Sequence, residues 1–163
     1  MVFDYFKLEK ENDSGPLFSF NGKTVYAKCV SVYDGDTITI KFLYRGESLK
    51  YKVRLMGIDT PELRTKNAQE KELSQKIREH VACMILNKIV KLRCYDFDKY
   101  GRILADIYVS DICVNEYLLK KKFAVPYNGE TKTDFSLSNF ENPDAYIPPA
   151  TKSYSIWAYY LKK

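Results

Sequence analysis

Histidine is nearly absent from this chain: one residue in 163, His80. Its expected place is the surface or edge of a helix, and no catalytic role is assigned to it. The four cysteines, Cys29, Cys83, Cys94 and Cys113, are scattered with no CxxC spacing. That spacing excludes the usual zinc frameworks and points to reduced thiols. No apolar run approaches the length needed to span a membrane. The first residues, Met-Val-Phe-Asp-Tyr-Phe-Lys, lack a basic segment followed by an apolar one, so no secretory signal is read. An intracellular protein is expected, or a secreted one if a leader has been removed.

What is present is a core's worth of apolar residues, 45% of the chain, with a net charge of +5 and 14 tyrosines. The length suits one domain with an appendage. The charge favours a polyanionic partner, though many basic proteins bind none. Tyrosine stacks on bases when exposed and is also a good strand residue.

Residues 1–22 read as an N-terminal arm, with Phe3, Tyr5, Phe6, Leu17 and Phe18 able to dock on the body. The domain proper is expected over 23–127 and a wrapped tail over 128–163. Thr24 to Tyr33 alternates as a strand does, and Asp34-Gly35 is a hairpin turn. Asp36 to Leu43 is a second strand, and Tyr44-Arg45-Gly46-Glu47 turns into a third, Ser48 to Ile58. From Gln69 to Asn87, Leu73, Ile77, Val81 and Ile85 recur every fourth residue, the pattern of an amphipathic helix. Ile89–Tyr95 and Arg102–Val109 read as strands four and five, flanking a turn at 96–101. Val114–Lys122 is a short helix, and 151–161 a last one anchored by Ile156 and Trp157. Three strands, a helix, two strands and a helix is the order of an α+β fold built on a five-stranded OB-fold β-barrel. Fold alone does not fix function.

The chemistry concentrates in Arg54-Leu55-Met56-Gly57-Ile58-Asp59-Thr60-Pro61-Glu62. A straight strand would put Arg54 and Asp59 on opposite faces, but Gly57 and Pro61 break its regularity. Asp36 and Asp59 sit at the ends of neighbouring strands. If those ends meet, they are oxygen ligands for a hard cation such as Ca²⁺, with the Thr60 carbonyl as a third. The plainer alternative is that Asp36 only caps its turn. Arg54 and Arg102 could each be exposed on the barrel wall. Together, beside carboxylates, they suit a forked grip on phosphate oxygens, and Glu62 could accept a proton from an attacking water.

Asp34-Gly35-Asp36-Thr37, then Arg54 through Glu62, then Asp98-Lys99-Tyr100-Gly101-Arg102 resemble, in order, the signature of the staphylococcal nuclease (thermonuclease) family. Val114-Asn115-Glu116 matches the start of its next helix. The resemblance covers about residues 24–127. It implies Ca²⁺-dependent hydrolysis of DNA and RNA to 5′-hydroxyl and 3′-phosphate ends. By motif, Arg54 and Arg102 are the phosphate-clamping arginines and Glu62 the general base. Asp36, Asp59 and the Thr60 carbonyl are the metal ligands, and Tyr100 lines the substrate pocket. Tyr127 is a shifted stand-in for a substrate-stacking tyrosine. Lys120, Lys121, Lys122, Arg64, Lys66 and Lys71 either touch phosphates or form a solvated face. Two readings compete with the enzyme: a nuclease-like module that binds nucleic acid or protein without cutting, and a plain OB-fold single-strand binder. A monomer is the default.

Overall fold

The computed structural model describes residues 2–12, 14–129 and 137–141, with side chains from residue 4 onward. The expected last helix with Ile156 and Trp157, the Phe3 side chain and most of the tail lie outside the described residues. In order come α1 (Val2–Leu8), β1 (Thr24–Val32), β2 (Thr37–Tyr44), β3 (Glu47–Leu55), β4 (Ile58–Asp59), α2 (Ala68–Ile85), β5 (Ile89–Phe97), β6 (Ile103–Val109), β7 (Ile112–Cys113), α3 (Val114–Lys120) and β8 (Val125–Pro126). Leu137–Asn139 adds a turn of 3₁₀ helix. No described helix is long and apolar enough to cross a membrane.

The sheet runs β3-β2-β1-β5-β6, and β3 also pairs with β6 in parallel. This closes a five-stranded barrel, the OB-fold read from the strand order. Alternation does the work locally. In β2, Ile38, Ile40 and Phe42 point inward, while Thr39, Lys41 and Leu43 lie between them on the outer face. The β2–β3 turn is two residues, Arg45 and Gly46, with φ of 51° and 86°. Positive φ at both positions matches the right-handed twist of the strands it joins.

Helix α2 begins on Asn67, whose side chain accepts from the N–H groups of Gln69 and Glu70. It ends where Lys88 reaches back to donate to the carbonyls of Cys83 and Met84. Its inner face carries Ile77, Val81, Met84 and Ile85 into the core.

Several expectations are corrected here. The third strand stops at Leu55, not Ile58, because the chain turns at Met56-Gly57. The Asp34-Gly35 turn is wider than a two-residue hairpin, since Tyr33 N–H bonds to the Thr37 carbonyl around Asp34, Gly35 and Asp36. Ile112–Cys113 forms a small strand against β6. The first residues form a helix whose Tyr5 and Phe6 do not dock, being 65% and 57% exposed, and Leu17 is 93% exposed. Phe20 is the residue that anchors this end, edge-on to Phe42 and Phe97, with Phe18 half-covered beside it. His80 is buried, not at the surface. Its ring stacks on Tyr117 of α3 and meets Phe123 edge-on. A helical period marks the apolar members of an inner face but cannot admit a polar one.

Candidate active site

The backbone builds the site before the side chains do. At the end of β3, Leu55 N–H bonds to the Asp36 carbonyl, and Met56 N–H bonds to the Ala105 carbonyl of β6. Gly57, at φ 75°, turns the chain in a conformation that a side chain disfavours. Ile58–Asp59 then leaves the barrel sheet and pairs with Val125–Pro126, and Tyr127 N–H returns to the Gly57 carbonyl. Asn115 staples the corner. Its amide donates to the carbonyls of Met56 and Ala105, and its oxygen accepts from Ile107 N–H.

This turn lets Asp59 face the same way as Arg54. The Arg54 guanidinium lies between two carboxylates, with Nη1 2.6 Å from Asp36 Oδ2 and Nη2 2.8 Å from Asp59 Oδ1. All three side chains are nearly buried. Asp36 Oδ2 also accepts from the Thr60 N–H and hydroxyl, both at 3.0 Å, and Oδ1 accepts from Thr37. The plain expectation for Arg54, an exposed wall residue, is therefore wrong. Asp36 does not merely cap its own turn either.

Gly35 is needed here for room rather than for its φ. A Cβ on it would lie 2.8 Å from side-chain atoms of both Ile77 and Thr60. The glycine lets the Asp34–Asp36 loop lie flat on α2 and on the Thr60 strand end.

Arg102 belongs to the same site from the other side. Its Nε donates to Asp98 Oδ2 at 2.6 Å, and its Nη1 lies 3.4 Å from the Thr37 hydroxyl. Burial works to raise the Asp98 pKa. It is outweighed by hydrogen bonds from the Arg102 backbone and guanidinium and the Tyr100 N–H, so Asp98 stays below its ordinary value. A cleft of about 330 Å³ is lined by Arg54, Arg102, Tyr100, Tyr127, Lys99 and Leu104, among others. The Tyr100 ring lies 5.4 Å from the Arg102 guanidinium carbon and the Tyr127 ring 5.9 Å from that of Arg54. Two arginines, each beside a tyrosine, thus face one cleft.

Glu62 is not part of the cleft lining. It is exposed on the loop after Thr60, with its backbone N–H on Glu70 of α2. Of the basic residues considered for phosphate contact, Arg64 lies over Tyr33 and Lys122 pairs with Glu141 at 3.4 Å.

Sequence reasoning gave no role to Asp34, Thr37, Asp98 or Asn115. The first three were visible as polar neighbours of the chosen residues, and Asp98 opens the turn that ends at Arg102. Asp34 carries an electrostatic signal of its own. Burial, then repulsion from Asp36, pushes its pKa up to about 7. Two carboxylates, Asp36 and Asp59, face the single Arg54 guanidinium, so negative charge is in excess in this corner. No cluster of three or more His, Cys, Asp or Glu in metal-binding array is found among the described residues. The donor chemistry nevertheless fits a hard cation. It is all oxygen, from Asp36, Asp59 and the Thr60 carbonyl, and it is short of positive charge.

The family model for staphylococcal nuclease homologues matches residues 52–146, more than half of the chain. A probable staphylococcal-like nuclease of Oryza sativa is 38% identical over 86 residues, covering 51% of this chain and 24% of the relative. An uncharacterized protein of Methanocaldococcus jannaschii is 32% identical over 146 residues, covering 75% and 64%. An uncharacterized endonuclease of Haemophilus influenzae is 29% identical over 131 residues, covering 80% and 65%. The chain spans less than two thirds of the length of each of these relatives.

Proposed function

The chain belongs to the staphylococcal nuclease homologue family, and from that premise we propose that it is a Ca²⁺-dependent nuclease. It hydrolyses phosphodiester bonds of DNA, RNA or both, leaving 5′-hydroxyl and 3′-phosphate ends. The observation that carries this reading is the convergence of Arg54 and Arg102 on one cleft, with Asp36 and Asp59 directly behind Arg54.

The roles follow from charge. During in-line attack, negative charge builds on the phosphorus-bound oxygens. Two guanidiniums fixed in advance stabilise it without reorganisation. Arg102 is the better presented of the two, since its Nη2 has no partner among the described residues and Asp98 fixes its Nε. Asp36, Asp59 and the Thr60 carbonyl would hold Ca²⁺. The ion would supply Lewis-acid stabilisation of the same oxygens. Glu62 accepts the proton of the attacking water. Tyr100 and Tyr127 flank the scissile phosphate and offer ring faces to adjoining bases.

The second reading, a module that binds without cutting, is favoured by one observation: Glu62 does not line the cleft. Both are tested together. Purified protein is incubated with end-labelled single-stranded DNA and RNA, with Ca²⁺ and with chelator. The nuclease reading expects fragments with 3′-phosphates in Ca²⁺ and none in chelator. Intact substrate across pH and divalent ions, with binding retained, establishes the module instead.

A further inference from the structure

We infer that the outer face of β1, β2 and β3 is a track for the sugar–phosphate backbone of a single-stranded nucleic acid, leading into the cleft. This rests on the nuclease reading for its choice of partner.

The register of the sheet carries the inference. Lys28 of β1 lies opposite Lys41 of β2, and Lys41 lies opposite Lys50 of β3. Residues paired across antiparallel strands point to the same face, with Cβ atoms about 4.5–5.5 Å apart. Three lysines therefore form one row across three adjacent strands, and all three are exposed. Lys52 stands one pleat further along β3, opposite Thr39. Arg54 comes one pleat after that and reaches the cleft. Arg54, Lys52 and Lys50 share one parity, so the basic row is continuous with the guanidinium of the site.

Like charges placed directly opposite in a sheet are destabilising. Nothing local offsets them, since no carboxylate pairs with Lys28, Lys41, Lys50 or Lys52 among the described residues. Some cations elsewhere are occupied: Lys76 pairs with Glu72, Lys122 with Glu141, and Lys88 caps α2. Lysines do protect exposed sheet edges, but β1 and β2 are interior strands of this sheet. Of the acidic residues on this side, Glu47 lies at the β2–β3 turn opposite Tyr44. Asp106, opposite Arg93, accepts from the Tyr95 hydroxyl. Tyr26 and Ile89 stand exposed on either side of Lys28. A flexible polyanion with stackable bases matches cations in a row beside exposed apolar faces. An anionic membrane is the other surface that could take lysines beside Tyr26 and Leu43. A basic row that runs into a phosphodiesterase cleft favours the nucleic acid.

The test uses the full chain, a fluorescein-labelled single-stranded 20-mer and fluorescence anisotropy in chelator, so that nothing is cut. The triple variant Lys28→Gln/Lys41→Gln/Lys50→Gln should bind at least tenfold more weakly than wild type at low salt. Its plot of log affinity against log salt should be flatter by about 2, at about 0.7 per lost contact. A charge-matched control on and beside α2, Lys66→Gln/Lys71→Gln/Lys76→Gln, should change neither by as much. The triple variant should melt no lower than wild type, since it relieves repulsion. Hydrolysis of a nitrophenyl phosphodiester of a single nucleoside should be unchanged, because that substrate is too short to reach the row. Equal binding and slope for the triple variant and wild type overturns the track, as does a control that weakens binding equally. Lysine-dependent capture by phosphatidylserine vesicles without oligonucleotide binding overturns it in favour of a membrane. If the nucleoside ester is cut but the lysines are silent, the track fails alone. If nothing is cut while lysine-dependent binding persists, the nuclease reading fails and the track stands.

Discussion

Arg54, Asp36 and Asp59 form one set of buried polar groups; Asn115 and His80, packed where α3 meets the barrel, form another. In the first, charged side chains answer charged side chains at the back of a cleft. In the second, Asn115 spends its hydrogen bonds on backbone groups of two separate segments, and His80 is enclosed by aromatic rings. Both sets are costly to bury unpaired. The difference lies in what the groups are reserved for. Backbone partners use Asn115 up as a structural tie. Arg102 keeps a donor unspent beside a space large enough for a phosphate and its flanking atoms, and Arg54, held by its two carboxylates, lines the same space. Burial of a polar residue is thus a poor marker of function until its partners are named.

The largest effect should come at the cleft that the first set backs, from its other arginine. Arg102→Lys keeps the charge but removes the planar fork and the Nε that Asp98 anchors. A hundredfold to thousandfold loss of kcat is expected, on the order of 3–4 kcal/mol in the transition state, by analogy with removing one oxyanion donor. Urea unfolding should place its stability within about 0.5 kcal/mol of wild type. A near-normal kcat would mean that Arg102 does not touch the transition state.

Asn115→Ala breaks the second set and should do the reverse. It strands the buried Ile107 N–H and loosens the Met56 carbonyl. A loss of about 2–3 kcal/mol of stability is expected from urea midpoints. Per folded molecule, the rate should fall less than in Arg102→Lys. A variant of unchanged stability that is wholly inactive would erase the distinction drawn between the two sets.

The barrel was legible because its information is periodic. Alternation in β2 and β5 and the fourfold spacing of Ile77, Val81 and Ile85 report their own inner faces. The convergence of Arg54 with Asp36 and Asp59 was legible only in part. Gly57 signalled a break, but the pairing of Ile58–Asp59 with Val125–Pro126, which aims Asp59, joins segments some 65 residues apart. Asn115 was hidden for the same reason: its partners come from β6 and from the Met56 turn, some 60 residues away along the chain. His80 was misplaced because a histidine on a helix is as compatible with water as with a slot between Tyr117 and Phe123. The undocked Tyr5 and Phe6 show the converse, since hydrophobicity permits docking but does not supply a surface to dock on.

The smallest expected effect concerns pH, and it separates the two sets by their titration. Burial, then the nearby positive charge of Lys121, lowers the His80 pKa from 6.5 to about 4. Its Nε2 lies 2.9 Å from the Tyr117 hydroxyl, while Nδ1 is buried with no hydrogen-bond partner among the described residues. The fold therefore holds the neutral ring. The unfolded chain takes up the proton first, so the stability His80 permits is complete above about pH 6.5 and is lost as pH falls toward 4. Linkage over that window gives a loss of about 2 kcal/mol by pH 5. His80→Gln stays neutral throughout and can still meet the Tyr117 hydroxyl. Its unfolding free energy at pH 7.5 should lie below that of wild type, because packing against Phe123 is lost. That gap should narrow by about 2 kcal/mol by pH 5, read from urea titrations at the two pH values. A gap that stays constant would mean the folded protein accommodates the charged imidazolium. The pocket of Tyr117 and Phe123 would then be open to water, and the contrast with the cleft would lose its physical basis.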